Sequence, residues 1–316
     1  MTEVIALGEL LIDFAQKGVE SGYPLLQAQP GGAPANYLAA VKKYGHSAGM
    51  TAKVGNDAFG NLLVATLDSA GIDTKNVVLS DDYFTTLAFV TLDGSGDRSF
   101  SFARKPGADT QIDFDEIDLS EIDGCKVFHY GTLSMTDEKC RETTLKCIDY
   151  AKSRGKIISC DPNLRLVLWD SPEKAKEAMK TALSKADVVK ISDEEVEFLF
   201  GCDEKHGAEI LHRDYGVKVC YVTLGAKGCY YSANGFTGYV GGVEVDVLDT
   251  TGAGDIFGGS AMAMLLDTGK EPGELTERDL RNIVTFAVNA ASLSTQKHGG
   301  IMSVPEKSEV LAKIGK

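Results

Sequence analysis

The sequence predicts an α/β fold in which a mainly parallel sheet, covered by helices on both faces, carries a small additional β-layer. Apolar runs rich in β-formers alternate with helical segments along most of the 316 residues, a pattern typical of parallel sheets. Two regions interrupt this alternation with strand and turn signals alone. No repeat or long linker divides the chain, so we expect a single domain spanning residues 1–316.

The alternation begins at the N terminus. Residues 4–11 are almost continuously apolar and are predicted to form a strand, and a second strand is predicted at 48–54. Helices are predicted at 34–44 and 57–70. Pro34 suits the first turn of the earlier helix and Gly45 follows its end, which supports these boundaries.

The two interrupting regions predict the β-layer. Residues 86–92 and 98–103 are rich in β-formers and flank Asp93-Gly94-Ser95-Gly96-Asp97, which is a hairpin signal. Residues 13–30 lack helical periodicity and contain several glycines and prolines. We therefore expect a small β-sheet lid, with strands within about 13–30 and 84–105.

The alternation resumes in the second part of the chain. Strands are predicted at 126–130, 156–161, 187–191 and 218–224, and helices at 137–153, 171–184 and 194–200. A hairpin is predicted at 229–240 around Asn234-Gly235. A β-type run at 243–248 precedes an apolar helical stretch at 256–266, and a long helix is predicted at 276–295.

Charge and cysteine content exclude several classes of function. The formal net charge is -14, which argues against nucleic acid or an anionic membrane as a partner, since both favour basic surfaces. No apolar run is long enough to span a bilayer, and the start does not resemble a signal peptide. The seven cysteines are odd in number and include no Cys-x-x-Cys pair, so we expect reduced thiols and a cytoplasmic location.

The most informative segment is Asp249-Thr250-Thr251-Gly252-Ala253-Gly254-Asp255, a glycine-rich turn that enters a predicted helix. Free N–H groups at a helix N terminus favour an anion, and glycines let the backbone approach it closely. A carboxylate beside a phosphate cradle suits a general base for an attacking hydroxyl. From the turn alone, an ordinary turn residue and helix cap remain an alternative for the two aspartates.

This heptapeptide resembles the C-terminal signature of the ribokinase-like (PfkB) carbohydrate kinases. Their N-terminal Gly-Gly signature is matched by Gly31-Gly32-Ala33-Pro34-Ala35-Asn36. The opening Gly8-Glu9-Leu10-Leu11-Ile12-Asp13-Phe14 and the segment Asp161-Pro162-Asn163-Leu164-Arg165 are similar to those of fructokinases. The Walker and dinucleotide-binding fingerprints are absent. The resemblance implies a three-layer ribokinase-like α/β/α fold with a β-sheet lid.

The resemblance also implies residue roles. Asp255 would be the general base, and the amides of Gly252, Ala253 and Gly254 would form an anion hole. The residues expected to bind the sugar are Asp13, Gly31, Gly32, Asn36, Arg104 and Arg165. Those expected to bind ATP are Thr223, Gly225, Gly228 and Asn289.

Magnesium and a monovalent cation are implied as well. Glu195 would organise Mg²⁺ through water, although Ser192 replaces the asparagine usual in the family's Asn-x-x-Glu motif. Many members also bind K⁺ through oxygen ligands, chiefly of the backbone. The matching positions here are Asp249, Thr251, Thr295, His298, Gly300 and Ser303.

The expected reaction is ATP-dependent phosphorylation of a sugar hydroxyl, with D-fructose converted to fructose 6-phosphate as the first choice. 2-Keto-3-deoxygluconate, ribose, nucleosides and aminoimidazole riboside remain alternative substrates. A non-catalytic sugar sensor of the same fold is an alternative of another class. The expected partners are thus a small sugar and ATP, and exposed lid strands favour a homodimer formed through the lid.

Overall fold

The computed structural model describes residues 2–92 and 98–315, within which the chain forms thirteen strands and ten α-helices. The strands are β1 (Val4–Leu7), β2 (Leu11–Glu20), β3 (Tyr23–Gly31), β4 (Ala48–Gly55), β5 (Asp73–Ser80), β6 (Leu87–Leu92), β7 (Arg98–Ala103), β8 (Val127–Gly131), β9 (Ile157–Asp161), β10 (Val188–Ser192), β11 (Val219–Thr223), β12 (Gly228–Ala233) and β13 (Phe236–Gly241). The helices are α1 (Ala33–Lys43), α2 (Ala58–Ser69), α3 (Leu119–Gly124), α4 (Glu138–Ser153), α5 (Pro172–Leu183), α6 (Asp193–Phe200), α7 (Glu204–Tyr215), α8 (Ala253–Asp267), α9 (Glu277–Ser294) and α10 (Lys307–Ile314).

Nine strands form the main sheet in the order β13-β12-β11-β10-β9-β8-β1-β4-β5. The pairs from β11 to β5 are parallel, whereas β12 and β13 form an antiparallel hairpin at one edge. Alternate residues of β1 pack into two cores on opposite faces of the sheet. One core includes residues of α1, α8 and α9, and the other includes residues of α4, α5 and α7. The predicted fold class is confirmed.

A separate four-stranded sheet, in the order β3-β2-β6-β7, forms the lid. The β2–β3 and β6–β7 pairs are antiparallel, and β2 runs parallel to β6. At the base of the lid, the Phe14 ring stacks on Phe89 of β6 and meets the edge of Phe59 on α2. The predicted turn at residues 93–97 lies outside the described residues.

Two of the predicted elements need correction. The strand expected at 4–11 is two strands, because the chain leaves the main sheet after Leu7 and enters the lid at Leu11. The apolar run at 243–248 forms no strand: Val247 and Leu248 are more than half exposed instead of lying in a sheet. The lid strands expected within 13–30 are confirmed as β2 and β3, which pair with a register shift between Gln16 and Gly18.

The parallel topology brings functional loops to one edge of the main sheet. β1, β8, β9, β10 and β11 all end there, and residues that follow β1, β8 and β9 border the space beneath the lid. All seven cysteines are free thiols. Among the described helices, none is long and apolar enough to cross a membrane.

Candidate active site

A cleft of about 410 Å³ lies between the lid and the carboxyl edge of the main sheet. Its wall combines residues from the lid, from the start of α1, from the loop after β9 and from the turn before α8. Of the predicted site residues, it includes Asp13, Gly32, Asn36, Arg165, Asp249, Thr251, Gly252, Asp255 and His298. The fold thus brings together the two glycine-rich motifs, which are more than 200 residues apart in the sequence.

The N terminus of α8 forms one end of this cleft. Gly252 precedes the helix with φ of 75°, a left-handed conformation that favours glycine. A Cβ there would lie 2.9 Å from the Gly300 Cα. Within the described chain, Ala253 N–H donates to Thr250 O at 3.3 Å, whereas the N–H groups of Gly254 and Asp255 have no backbone partner. The turn therefore presents free donors for an anion.

Asp255, in the first turn of α8, accepts a hydrogen bond at Oδ2 from Asn36 Nδ2 at 2.9 Å. Burial raises the pKa of Asp255 above its ordinary value, against the lowering effects of this hydrogen bond and of the nearby Lys190 and Arg165 cations. Asn36 Oδ1 is buried without a hydrogen-bond partner. A carboxylate of raised pKa, beside an unsatisfied acceptor in a cleft, suits proton transfer from a bound hydroxyl.

Lys190 is a site residue that the sequence analysis missed. Its Nζ lies 2.9 Å and 3.2 Å from the two carboxylate oxygens of Asp161, which ends β9. It also lies 3.0 Å from the position of a Cβ on Gly254. Burial opposes its charge, but the carboxylates of Asp161, Glu195 and Asp255 raise the pKa of Lys190, so it stays protonated. A lysine within an otherwise apolar buried strand was the available signal.

Asp13 lies on β2 and faces the cleft from the lid. Burial raises its pKa to about 6, with Arg165 opposing the shift. The residue at position 31 on β3 must be small, because a Cβ on Gly31 would clash with the Asp13 carboxylate, at 2.4 Å from Oδ2. Arg165 influences the pKa of both Asp13 and Asp255, so its cation lies near both carboxylates.

The Arg104 side chain forms hydrogen bonds outside the cleft. Its guanidinium donates to Asp109 Oδ2 and Thr136 Oγ1, each at 2.7 Å, and to Leu133 O at 2.9 Å. Only 5% of the side chain is exposed, and among the described residues Arg104 is not part of the cleft wall. The expectation that it contacts sugar is therefore not supported by its position: the cation fastens the end of β7 to the body of the protein.

The Ser192 substitution has a local explanation. Ser192 caps α6, with its Oγ accepting the Glu195 N–H at 3.2 Å, while Glu195 Oε2 accepts the Ser192 N–H at 2.9 Å. Glu195 Oε1 accepts the Leu164 N–H at 2.7 Å. This capping box was readable from Ser-x-x-Glu in the sequence. It holds the Glu195 carboxylate in place and ties α6 to the loop that carries Arg165.

The residues predicted to hold a monovalent cation lie on two adjoining loops. Asp249 Oδ1 accepts from Thr251 N–H and Oγ1, and Asp249 Oδ2 accepts from Gly299 N–H. Burial opposes ionisation, yet these hydrogen bonds hold the pKa of Asp249 below its ordinary value. The carbonyl oxygen of Thr295 accepts from Asp249 N–H, and that of Gly300 accepts from Ser303. His298 lies beside Asp249, with 3.5 Å between Nδ1 and Oδ2.

The predicted nucleotide residues lie outside the wall of this cleft. Thr223 ends β11, and Gly225 and Gly228 follow with φ of 56° and 107°. A Cβ on Gly228 would approach Val240 O to 2.0 Å, so glycine is needed for the hairpin itself. Asn289 is buried on α9, where its Nδ2 donates to Thr285 O at 2.8 Å.

The site contains the kinds of groups that bind a magnesium-bound nucleotide. The α8 N terminus offers N–H groups to phosphate, and Lys190 supplies a buried cation beneath it. Nowhere in the described ranges do three or more His, Cys, Asp or Glu side chains form a group that could hold a metal alone. Mg²⁺ beside a nucleotide is usually held through substrate phosphates, water and one or two carboxylates.

Comparisons with known proteins identify a matching family and similar sequences. A family model described as pfkB family carbohydrate kinase matches residues 1–307. The chain is 39% identical to Fructokinase-2 of Solanum lycopersicum, covering 98% of this chain and 95% of that protein. It is 40% identical to Fructokinase-1 of Zea mays, with 99% and 98% covered.

Solved structures are similar over the full length. A fructokinase with bound ATP from Xylella fastidiosa is 30% identical, with a TM-score of 0.92 and coverage of 100% of this chain and 99% of that one. A fructokinase from Vibrio cholerae O395, in a form with fructose, ADP and calcium ion, is 30% identical, with a TM-score of 0.88 and 99% of both chains covered.

Proposed function

Because the chain belongs to the pfkB family of carbohydrate kinases, we propose that it is an ATP-dependent fructokinase that forms fructose 6-phosphate. The observation that carries this proposal is the placement of Asp255 at the N terminus of α8, hydrogen-bonded to Asn36 in a cleft roofed by a β-sheet lid. The names of the relatives support fructose as the substrate. The residues of the cleft support hydroxyl recognition.

In the proposed mechanism, the sugar binds beneath the lid, with hydroxyls hydrogen-bonded to Asp13 and to the free Asn36 Oδ1. Ionised Asp255 accepts the proton of the attacking hydroxyl as its oxygen bonds to the γ-phosphorus of ATP and the bond to ADP breaks. The N–H groups of Gly254 and its neighbours, with Lys190, stabilise the charge that develops on the phosphoryl oxygens. The lid excludes water, which limits hydrolysis of ATP.

Metal ions would support this chemistry. Glu195 and the phosphates would hold Mg²⁺ through water, and the bound ion would neutralise phosphate charge. The loops that contain Asp249 and Ser303 would hold K⁺ through oxygen atoms. The nucleotide base would lie towards Gly225, Gly228 and Asn289. One solved neighbour, a fructokinase double mutant from Vibrio cholerae O395, has fructose, ADP and a potassium ion bound, which supports a nucleotide and K⁺ as ligands.

We also propose that two copies pair through their lids. Tyr23 and Val19, on the β2–β3 hairpin, are 74% and 64% exposed, and β3 pairs on one side only among the described strands. Exposed apolar edge strands are usually covered. Light scattering should show a dimer that dissociates in Tyr23→Asp but not in Leu311→Asp, which changes an exposed residue of α10. A monomeric wild type would contradict this proposal.

The substrate is tested by ATP-dependent phosphorylation of a panel, with and without K⁺. The panel contains fructose, ribose, 2-keto-3-deoxygluconate, aminoimidazole riboside and fructose phosphates. We expect the highest kcat/KM with fructose. A preference for another sugar would reject the substrate and retain the mechanism. No turnover of any sugar by folded protein would favour a sugar sensor. The free thiols support a reducing, cytoplasmic location.

A further inference from the structure

The chain crosses between the main sheet and the lid hairpin at two neighbouring points. It leaves after β1 through residues 8–10, and it returns from β3 through Gly32 into α1. The two crossings are tightly packed. A Cβ on Gly32 would lie 2.4 Å from Glu9 O, and a Cβ on Gly8 would lie 2.7 Å from Pro34 Cγ. The two crossings are therefore in close contact with each other.

Glu9 joins the two crossings through its side chain. Its Oε1 accepts the backbone N–H of Ala33, the first residue of α1, at 2.9 Å. The N-cap position of α1 is Gly32, which has no side chain to accept this hydrogen bond. Glu9 thus supplies, from a distant part of the chain, the acceptor that a capping residue normally provides.

Glu9 is buried at the inner end of the cleft. Only 3% of the residue is exposed, and it contributes both to the cleft and to a cavity of about 10 Å³ behind it, which Asp161 and Asp255 also line. Burial raises the pKa of Glu9 to about 7, against the lowering effect of the Ala33 hydrogen bond. Its neutral form is therefore well populated at neutral pH, so a glutamine amide is a close mimic of it.

We propose that Glu9 is a positioning residue that fixes both lid crossings and so keeps Asp13 and Asn36 aligned with Asp255. This proposal rests on the sugar-kinase function given above. Asp13, on β2, lies four residues after Glu9, and Asn36, on α1, lies three residues after Ala33. The Glu9–Ala33 hydrogen bond therefore sets the spacing of the two sugar-side groups, while Asn36 in turn orients Asp255.

The test compares Glu9→Ala with Glu9→Gln, using the best sugar of the panel. Glu9→Ala should raise the KM for sugar about tenfold or more and lower kcat, because small misplacements of reacting groups are costly. The KM for ATP should change less than about twofold. Glu9→Gln retains an acceptor for the Ala33 N–H and should restore both sugar constants to within about threefold of wild type.

Two further variants control the experiment. Glu274→Ala also removes a backbone hydrogen bond at a helix start, here with Glu271 N–H, but it lies outside the cleft and should leave the KM for sugar unchanged. Glu9→Asp keeps a carboxyl group on a shorter side chain. It should raise the KM for sugar, and it replaces Glu9→Ala if that variant does not fold. Wild-type constants in Glu9→Ala or Glu9→Asp, or equal damage in Glu9→Gln, would overturn the role of Glu9.

Hydrogen exchange tests the positioning role of Glu9 independently of the kinase activity. Folded Glu9→Ala should exchange faster than wild type at the amides of β2 and of the first turn of α1, and Glu9→Gln should not. An inactive wild type would reject the kinase function, whereas unchanged exchange in Glu9→Ala would reject the positioning role alone.

Discussion

Asn36 donates a hydrogen bond to Asp255 at 2.9 Å, although the two residues are 219 positions apart in the sequence. Asn36 belongs to the start of α1 and Asp255 to the start of α8, so the contact joins the two glycine-rich motifs. It brings the proposed sugar-binding side chain into direct contact with the proposed base. Changes in either residue should therefore affect both binding and proton transfer.

Replacing Asn36 by alanine should move the acid limb of activity to higher pH. The base must be ionised to accept a proton. Burial already raises the pKa of Asp255, and the Asn36 hydrogen bond lowers it. Without this donor the pKa rises further, so the variant loses activity earlier as pH falls. The measurement is kcat against pH. Asn61→Ala, which removes an exposed amide on α2, serves as the control, and coincident profiles would contradict the prediction.

Replacing Gly252 by alanine should reduce turnover through crowding at the anion hole. Its φ of 75° disfavours alanine, and a Cβ would meet Gly300 and Asn36. Gly269 is a matched control, because it has φ of 66° and open space around a Cβ. Both variants should lose about 1 kcal/mol of stability from backbone strain, but only Gly252→Ala should lose most of its kcat. Equal kcat values in the two variants would argue against an anion hole at this turn.

The buried pair of Lys190 and Asp161 should show strong coupling. Lys190→Met leaves a buried carboxylate without its cation, which costs about 3–5 kcal/mol of unfolding free energy. The double variant Lys190→Met/Asp161→Asn removes both charges and should recover much of this stability but not the turnover. Urea unfolding and kcat are measured on all members of the cycle. Additive losses of stability would contradict the pairing.

Substitution of Arg104 should reduce the stability of the protein, whereas substitution of Arg165 should weaken sugar binding. Arg104→Ala leaves Asp109 buried without its cation, so we expect a loss of about 3–5 kcal/mol in stability. Arg165→Ala removes a largely exposed cation at the cleft, so it should raise the KM for sugar with little change in thermal midpoint. A kinetic defect in Arg104→Ala without destabilisation would instead support direct sugar contact by Arg104.

The sequence predicted the parallel sheet because apolar strands alternate with segments of helical periodicity. Each of these patterns lies within a single segment of the chain. It also predicted the anion-binding turn, whose glycines and following helix lie within one segment. The break between β1 and β2 was missed, because residues 4–11 are apolar except for Gly8 and Glu9, where the chain passes from one sheet to the other. Apolar content does not report which sheet a strand joins.

Contacts between distant segments explain why the positions and roles of three further side chains were not predicted from the sequence. Arg104 resembled a sugar-binding residue, but its partners Thr136 and Leu133 come from a loop about thirty positions later. The role of Lys190 depends on Asp161 from the neighbouring strand. The role of Glu9 depends on its hydrogen bond with Ala33, which the chain reaches only after it has passed through the lid hairpin. Each requires the folded arrangement, because no spacing in the sequence places these side chains together.

Asp255 is proposed as the base of a sugar kinase, and the decisive variant for this role is Asp255→Asn. The variant keeps the size of the side chain and removes its ability to accept the proton. With Asp170→Asn as an exposed control, the measurement is kcat with fructose, together with ATP affinity by calorimetry. We predict a loss of at least about 100-fold in kcat with ATP affinity nearly unchanged. A variant that binds ATP and retains most of the wild-type turnover would show that Asp255 is not the base.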